Sequence, residues 1–206
     1  MADFDRSPDG LAFSDAVRRA QARLNSRELH ADAEWPIDIS LELETFLNAQ
    51  RSVVLATSSA DGQPYVQHRG GPPGFLRVLD SRTIGLADLA GNREYVTLGN
   101  LSENDRLVLL AIDYAARRRV KIWGRGRFIE DDPDLVSRLA ADGQRGRAER
   151  ALLISVEAWD VNCAQHIPRR IDAAEAESTL ARRDARIAAL EAEVTRLRRR
   201  LDECGG

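Results

Sequence analysis

Alternating apolar and polar residues indicate that the middle of the chain is mostly β-sheet. The longest alternation runs from Arg119 to Ile129 and places Lys121, Arg125 and Arg127 opposite Val120, Ile122, Gly124, Gly126 and Phe128. A period of two over this length predicts a strand with one buried and one solvated face. Shorter strand-like runs lie at 52–58, 64–66, 75–79, 83–87, 106–112 and 151–159. Turn residues at 61–62 and 80–82 predict antiparallel hairpins between neighbouring runs.

Three helix starts flank or interrupt this sheet. Ser14 precedes a helical pattern that reaches Leu24, and Ser40 precedes a second one at 41–49 whose Leu43, Phe46 and Leu47 share one face. Serine is a preferred N-cap residue, because its hydroxyl accepts a hydrogen bond from a free amide of the first turn. The pair at 132–133, Asp-Pro, opens a short helix that reaches residue 139. Short antiparallel strands with added helices predict a mainly β fold of the α+β class.

The segment from Val66 to Leu101 contains the most distinctive chemistry. Gly and Pro at 70–74 predict a sharp corner, because proline lacks an amide hydrogen and glycine packs no side chain. Further on, Gly91 and Asn92 suit positive φ angles, and Arg93 follows them at a helix start. Backbone N–H groups that point inward at a helix start, together with a guanidinium, can bind a phosphate group. The alternative is an ordinary capped helix, with Asn92 as the N-cap and Arg93 in solvent.

Four motifs in this order carry a family resemblance: HRGGPPGF at 68–75, LDSRT at 79–83, DLAGNR at 88–93 and LGNL at 98–101. Together they resemble the FMN-binding split barrels related to pyridoxamine 5'-phosphate oxidase, in particular an uncharacterised bacterial flavin-nucleotide-binding branch. The resemblance covers roughly residues 41–169. It implies a six-stranded antiparallel Greek-key split barrel that forms a homodimer, with FMN bound at the subunit interface.

The resemblance also implies roles for individual residues, carried over by position. Arg69, Asn92 and Arg93 correspond to phosphate contacts of FMN, and His68, Gly70 and Asp88 correspond to neighbours of the flavin ring or ribityl chain. In the resembling oxidases, a tryptophan that ends the last strand and an arginine ten residues later reach the flavin and the substrate. Trp159 and Arg169 have this spacing.

The segment between these two residues is a second candidate for function. Asn162, Cys163, Gln165 and His166 lie close together in a stretch without helical or strand periodicity, which is typical of a functional loop. His166 is the candidate catalytic residue, because a histidine can donate a proton or a hydrogen bond near neutral pH. The alternatives are a surface histidine at 166 and a small buried filler at 163.

The tail has a seven-residue apolar repeat. Leu180, Ile187, Val194 and Leu201 occupy one heptad position, and Ala176, Leu190, Leu197 and Cys204 occupy the other, where Arg183 interrupts the series. β-Branched residues at a and leucine at d favour a parallel two-stranded coiled coil. We expect this tail to associate with a second copy. The alternative is a single amphipathic helix that lies on its own barrel.

Composition excludes several classes of protein. A net charge of −3 over 206 residues argues against a nucleic-acid-binding protein driven by bulk electrostatics. No apolar run reaches the ~20 residues of a membrane span, and the first ten residues lack the pattern of a signal peptide, so we expect a cytoplasmic protein. Two cysteines and three histidines predict neither a disulfide framework nor a metal site.

Lys121 either lies near the FMN cleft or is a solvated charge on the polar face of the strand at 119–129.

The sequence thus predicts an N-terminal helical extension at 1–40, an FMN-binding split barrel at 41–170 and a coiled-coil helix at 171–206. The function that fits best is an FMN-dependent oxidoreductase acting on an unidentified small molecule. Vitamin B6 oxidation is in doubt, because the corner at 70–74 replaces a continuous strand and Asn-Cys-x-x-His replaces the Arg-x-His of those enzymes. The alternatives are a non-catalytic flavin-binding module whose coiled coil recruits a partner, and a relative that binds haem or a deazaflavin.

Overall fold

The computed structural model describes residues 10–30, 34–162 and 165–204. Its strands are β1 (Ser52–Ser58), β2 (Pro64–Gly70), β3 (Arg77–Asp80), β4 (Thr83–Leu89), β5 (Arg106–Asp113), β6 (Arg118–Ile129) and β7 (Ala148–Asn162). Its helices are α1 (Asp15–Arg23), α2 (Leu41–Asn48), α3 (Val96–Glu103), α4 (Pro133–Leu139) and α5 (Ala173–Cys204), with a 3-10 turn at Glu28–His30. The predicted mainly β class with flanking helices and a long C-terminal helix is confirmed.

The predicted helix caps are present. The hydroxyl oxygen of Ser40 accepts a hydrogen bond from the amide of Leu43 at 3.2 Å, and the Ser14 hydroxyl accepts one from Val17 at 3.4 Å. At α4, the Asp132 carboxylate accepts from the amide of Leu135 at 2.8 Å. Each cap satisfies an amide that the first helical turn leaves unpaired, which explains why these three helices begin where the sequence predicts.

The seven strands form one antiparallel sheet in the order β2-β1-β5-β6-β7-β4-β3. The resemblance implied six strands in a barrel, whereas the described strands form an open sheet with β2 and β3 at its edges. Seven strands agree with the seven strand-like runs of the sequence, and the run at 75–79 forms β3, which has only four residues and pairs with β4. Its separate existence follows from the corner that ends β2.

The corner at 70–74 is built as the sequence predicts. β2 ends at Gly70, the Gly71 amide donates to the carbonyl of Arg51 at 3.1 Å, and the Gly74 amide donates to the carbonyl of Asn48 at 2.7 Å. Gly74 has a φ of 87°, a conformation that glycine adopts at no steric penalty. The turn connects β2 to the buried residues that precede β3 instead of continuing the β1–β2 pairing.

The main core lies between α2 and the inner face of the sheet. Its largest fully buried side chains include Leu43, Leu47, Leu55, Phe75 and Ile122. On β6, Val120, Ile122, Gly124 and Gly126 are buried while Arg125 and Arg127 are exposed, which confirms the predicted alternation. A smaller cluster packs α4 against β4 and β7 through residues that include Val136, Leu139 and Leu153.

The last strand is longer than predicted. β7 extends to Asn162, which pairs in register with Arg119, so the prediction of an irregular loop is wrong for residues 160–162. β7 is longer because β6 is long: the first residues of β6 pair with the residues of β7 that follow Trp159. Trp159 therefore lies within the strand and not at its end. The predicted loop residue Cys163 lies outside the described residues.

The chain divides into two compact units. The first comprises Met1–Asp113 and Arg117–His166, and the second comprises Tyr114–Ala116 and Ile167–Gly206. The sheet, its helices α1 to α4 and both core clusters belong to the first unit, and α5 belongs to the second. Within the described ranges, no helix combines the length and the apolar character that crossing a membrane requires.

Candidate functional site

A small polar pocket opens beside the start of α3. Its volume is about 60 Å³, and its walls come from β2, β4, the segment that follows β4, α3, β6 and the start of β7. We call it the arginine pocket; it is lined by Gln67, Arg69, Asp88, Leu89, Gly91, Asn92, Arg93, Tyr95, Leu98, Phe128, Glu149 and Arg150. Four of the predicted cofactor-binding residues meet here: Arg69, Asp88, Asn92 and Arg93.

Strand geometry explains how the pocket is assembled. In β2, side chains alternate between the two faces, which places Gln67 and Arg69 on one side and His68 on the other. In the β4–β7 pair, Asp88 lies directly opposite Arg150. Residues from three separate segments therefore converge, although each of them follows only its own local periodicity.

Asp88 links two arginines in the floor of the pocket. Its Oδ1 accepts a hydrogen bond from Nη1 of Arg69 at 2.5 Å, and its Oδ2 lies 3.1 Å from Nε of Arg150. All three side chains are largely buried, with exposed fractions of 16% for Arg69, 11% for Asp88 and 9% for Arg150. Arg150 also contacts Glu149 at 2.9 Å, and its guanidinium lies 5.1 Å from the ring centre of Tyr95.

The charges of this cluster do not cancel. Three arginines and two carboxylates line the pocket, which leaves one net positive charge. Burial raises the pKa of Asp88 above the ordinary aspartate value, and the attraction of Arg69 and Arg150 opposes this shift without overcoming it. Burial acts to lower the pKa of Arg150, but the charge of Asp88, the hydrogen bond to Glu149 and the charge of Glu130 together outweigh it and raise that pKa. The pocket is electrostatically suited to an anion.

Two buried nitrogens identify where an anion fits. Within the described chain, Nε of Arg69 and Nε of Arg150 are buried and lack a hydrogen-bond partner. The 3.1 Å contact of the latter with Asp88 is an ion pair without hydrogen-bond geometry. A buried N–H without an acceptor is unfavourable, so an oxygen atom of a ligand in the pocket would satisfy both nitrogens. Nε of Arg77 and Nε of Arg119 also lack a partner and do not line the pocket, so the feature supports an anion here only together with the charge of the lining. Phosphate oxygens can accept these hydrogen bonds, and the residues present therefore fit the phosphate of a flavin mononucleotide.

The segment between β4 and α3 differs from its prediction. Positive φ angles occur at Arg93 (62°) and Tyr95 (54°) and not at Gly91 or Asn92. The side-chain oxygen of Asn92 accepts from the amide of Glu94 at 3.3 Å, so Asn92 closes a turn and is not the N-cap of α3. Tyr95 occupies the N-cap position without a side-chain cap hydrogen bond. The alternative of an Asn-capped helix is therefore wrong.

Gln67, Tyr95, Glu149 and Arg150 are pocket residues that the sequence reasoning missed. The Thr97 hydroxyl donates to Oε1 of Gln67 at 2.7 Å, which occupies the amide oxygen and leaves the amide nitrogen as a donor. Arg150 is a charged residue at the edge of an apolar run, which is the one signal that marks it. That signal is weak, because arginine supplies almost all basic residues of this chain.

Other predicted residues lie elsewhere. Nε2 of His68 is 2.8 Å from the Ser52 hydroxyl on the exposed side of β2, and Gly70 pairs with Ser52 in the β1–β2 ladder. The indole nitrogen of Trp159 donates to the carbonyl of Asp38 at 3.1 Å, and its ring packs against the main core. None of these three residues lines the arginine pocket. Their roles as flavin contacts stay predictions.

His166 and Arg169 are both exposed, and Arg169 belongs to the second compact unit. His166 has a φ of 67°, which is uncommon for a residue with a side chain. Their catalytic and flavin-binding roles also stay predictions. Over residues 10–30, 34–162 and 165–204, no cluster of three or more His, Cys, Asp or Glu side chains suits a metal ion. Lys121 lies 5.9 Å from the ring centre of Trp123, on the polar side of β6.

Comparison with solved structures identifies relatives of this fold. The chain is similar to HupZ of Group A Streptococcus, with 18% identity and a TM-score of 0.50 over 65% of this chain and 99% of that one. It is also similar to a Clostridium acetobutylicum protein related to general stress protein 26 (15%, TM-score 0.45, 66% and 94% covered). A third is HutZ, the haem storage protein of Vibrio cholerae (17%, TM-score 0.43, 60% and 94%).

A search of curated protein sequences found no match. The pyridoxamine 5'-phosphate oxidase family model matches residues 39–163, which is more than half of the chain and includes all twelve residues of the arginine pocket. By this match, together with the antiparallel sheet and its flanking helices, the chain belongs to the pyridoxamine 5'-phosphate oxidase family.

Proposed function

We propose that this protein is an FMN-dependent oxidoreductase that acts on a small molecule, and that the arginine pocket holds the FMN phosphate. The observation that carries the proposal is the buried, unpartnered Nε of Arg69 in a pocket with net positive charge. Arg69, Arg93 and Arg150 supply the guanidinium donors, and Gln67 adds an amide donor. Arg93 is exposed and forms no ion pair within the described chain, so its charge is available to an anion.

The size of the pocket supports a phosphate-binding role in particular. Sites that enclose a whole cofactor have volumes of about 300 Å³ or more, whereas this pocket has about 60 Å³. It accommodates a phosphate group but not a flavin ring. The ring must then be bound by residues outside the pocket, which supports a site that a second subunit completes, as in the homodimer that the family resemblance implies.

The remaining predicted residues are assigned to that outer part of the site. His68, Gly70, Trp159 and Arg169 are proposed to border the ring or the substrate, and His166 is the proposed proton donor. When bound, FMN supplies the capacity for hydride and electron transfer. The chain's own contribution is to hold the phosphate with fixed cationic donors, to balance them with Asp88, and to place a titratable group near the substrate.

The first test is the visible absorption spectrum of the purified protein, with mass identification of the small molecule that heat releases. Flavin bands and FMN in about a one-to-one ratio to the chain are expected. A colourless protein that also fails to take up added FMN would overturn the proposal.

The second test removes the phosphate contacts one at a time. Arg93→Ala and Arg69→Ala are expected to weaken FMN binding by roughly 10- to 100-fold each, because each removes hydrogen bonds to a charged group. The matched control is Arg138→Ala, since Arg138 is an exposed arginine in the last turn of α4 outside the pocket. FMN affinities that stay unchanged in both pocket variants would refute the phosphate assignment even if the protein is a flavoprotein.

A second candidate function is a non-catalytic flavin-binding module whose coiled-coil tail mediates oligomerisation or recruits a partner. The exposed apolar residues of α5 favour it, because they offer an association surface that catalysis does not need. Steady-state turnover separates the two functions. An oxidoreductase passes electrons from a nicotinamide donor or a reduced substrate to an acceptor, whereas a module retains flavin without turnover.

A further inference from the structure

The heptad positions of α5 remain exposed in the single chain. α5 has 32 residues and contains no buried residue. We define the heptad stripe as its six large apolar side chains, whose exposed fractions range from 44% to 72%: Leu180, Ile187, Leu190, Val194, Leu197 and Leu201. At 1.5 Å per residue, the helix is about 48 Å long.

An exposed stripe of this length needs a partner. Helices in water obtain most of their stability from packing of an apolar face, since propensity alone gives little. Scattered apolar residues on a surface need no explanation, but a continuous row along one helix marks an association surface. The seven-residue spacing is that of the a and d positions of a coiled coil, which form a row that packs against the same row of a second helix.

We propose that the occupant of the heptad stripe is α5 of a second copy of this chain, bound parallel and in register. β-Branched Ile187 and Val194 at the a positions, with Leu190 and Leu197 at the d positions, favour two parallel strands. This assignment goes beyond the proposed function, and it does not depend on flavin.

Charge complementarity supports the same occupant and orientation. In a parallel pair, the g position of one helix faces the following e position of the other. Arg186 then faces Glu191 of the partner subunit, and Glu193 faces Arg198 of the partner subunit, so both contacts are attractive and each occurs twice by symmetry. Within one helix, Glu193 contacts Arg196 at 3.1 Å, with both side chains more than half exposed. Such a surface pair contributes little and does not prevent an interhelical contact.

Cys204 provides a direct probe of orientation. In the parallel register, its d position places the two thiols beside each other, whereas an antiparallel pair separates them by nearly the length of the helix. A disulfide requires Cα atoms within about 7 Å. The experiment uses the full chain with Cys163→Ser, so that Cys204 is the single remaining cysteine, and treats it with a mild thiol oxidant at low micromolar concentration. Rapid cross-linking through Cys204 is expected on a non-reducing gel.

Charge reversal then tests the pairing itself in the same background. Arg186→Glu and Glu191→Arg each replace two attractive contacts with repulsive ones and are expected to slow cross-linking roughly fivefold. A mixture of the two single variants restores both attractions only in the mixed pair, so the heterodimer is expected to predominate over either homodimer. The control is Arg199→Glu, the same change at an outward-facing f position, which is expected to leave the rate unchanged.

Absence of the Cys204 cross-link, or cross-linking that responds equally to Arg186→Glu and Arg199→Glu, would overturn the proposal. A statistical mixture of homodimers and heterodimers from the two variants would do the same. Flavin content is measured in every sample. Loss of cross-linking with FMN retained rejects the coiled coil alone, and cross-linking without FMN rejects the flavin assignment alone.

Discussion

Asp88 is the residue on which the chemistry of the arginine pocket depends. It is a buried carboxylate between Arg69 and Arg150, and both of these guanidiniums have a buried nitrogen without a hydrogen-bond partner. Because Asp88 occupies part of the donor capacity of these arginines, it competes with any anion that enters the pocket. The same carboxylate also offsets part of the positive charge of Arg69 and Arg150, which are largely buried. The residue thus sets the affinity of the pocket as much as the arginines do.

Replacing Asp88 with asparagine is expected to strengthen binding of inorganic phosphate about tenfold, because the pocket gains one net positive charge within a few ångströms of the ligand. The measurement is isothermal titration of the purified protein with inorganic phosphate at low ionic strength. Asp131→Asn provides the control, since Asp131 is an exposed carboxylate that does not line the pocket. Equal affinities in the wild type and the Asp88 variant would show that the pocket does not bind the anion through these arginines.

The raised pKa of Asp88 also predicts a pH dependence of stability. A folded-state pKa above the unfolded value means that the folded protein binds this proton more tightly than the unfolded chain. The free energy of unfolding therefore falls as the pH rises from the ordinary aspartate value through the raised one. Urea denaturation at several pH values is expected to show this decline in the wild type and not in Asp88→Asn. The opposite slope in the difference between the two proteins would mean that the arginines lower the pKa of Asp88.

Among the elements, the β6–β7 pair has a register shift between Trp123 and Gly124. Trp123 pairs with Ala158 and Gly124 pairs with Val156, so Glu157 is an extra residue on β7, which makes a β-bulge. A Cβ atom at Gly124 would lie 2.4 Å from the carbonyl oxygen of Ser155. Neither the β6 nor the β7 backbone can move without disturbing the hydrogen bonds between the two strands. Glycine is therefore required at position 124 because the β7 backbone is so close, and not because of its φ angle.

Gly124→Ala is accordingly expected to lower the free energy of unfolding by about 2–4 kcal/mol, as a backbone clash in a buried ladder should. Gly99→Ala in α3 is the matched control, because a Cβ at Gly99 meets no atom within 4 Å. That variant should stabilise the protein by about 0.5–1 kcal/mol through helix propensity. Denaturant titrations of both variants would decide, and similar stabilities would contradict the bulge geometry.

Local signals predicted the elements well where a single segment determines the structure. The Ser40 cap, the buried face of α2 and the alternation of β6 each depend on neighbours within a few residues. The order of the strands in the sheet, the extension of β7 to Asn162 and the pairing of Asp88 with Arg150 depend on register between distant segments, which periodicity does not reveal. For the same reason, Arg69 and Arg93 were found by motif, whereas Arg150 was missed.

At the scale of the whole molecule, the two proposals each assign a second copy of the chain to a different feature. The arginine pocket is large enough for a phosphate and too small for a flavin ring, and the heptad stripe of α5 is exposed. The first concerns cofactor binding and the second concerns association through the tail. The pocket lies in the first compact unit, and α5 lies in the second.

One d position of α5, between the apolar residues of the heptad stripe, carries a charged residue. Arg183 occupies a d position, where its charge is unfavourable in an apolar seam but restricts the register and the number of helices. In the Cys163→Ser background, Arg183→Leu is expected to lower the protein concentration needed for half-maximal Cys204 cross-linking about tenfold, because leucine completes the seam. Arg182→Leu makes the same change one residue earlier, at an outward-facing c position, and should leave that concentration unchanged. If both leucine variants cross-link alike, added hydrophobicity alone drives the association and the heptad register of α5 does not determine it.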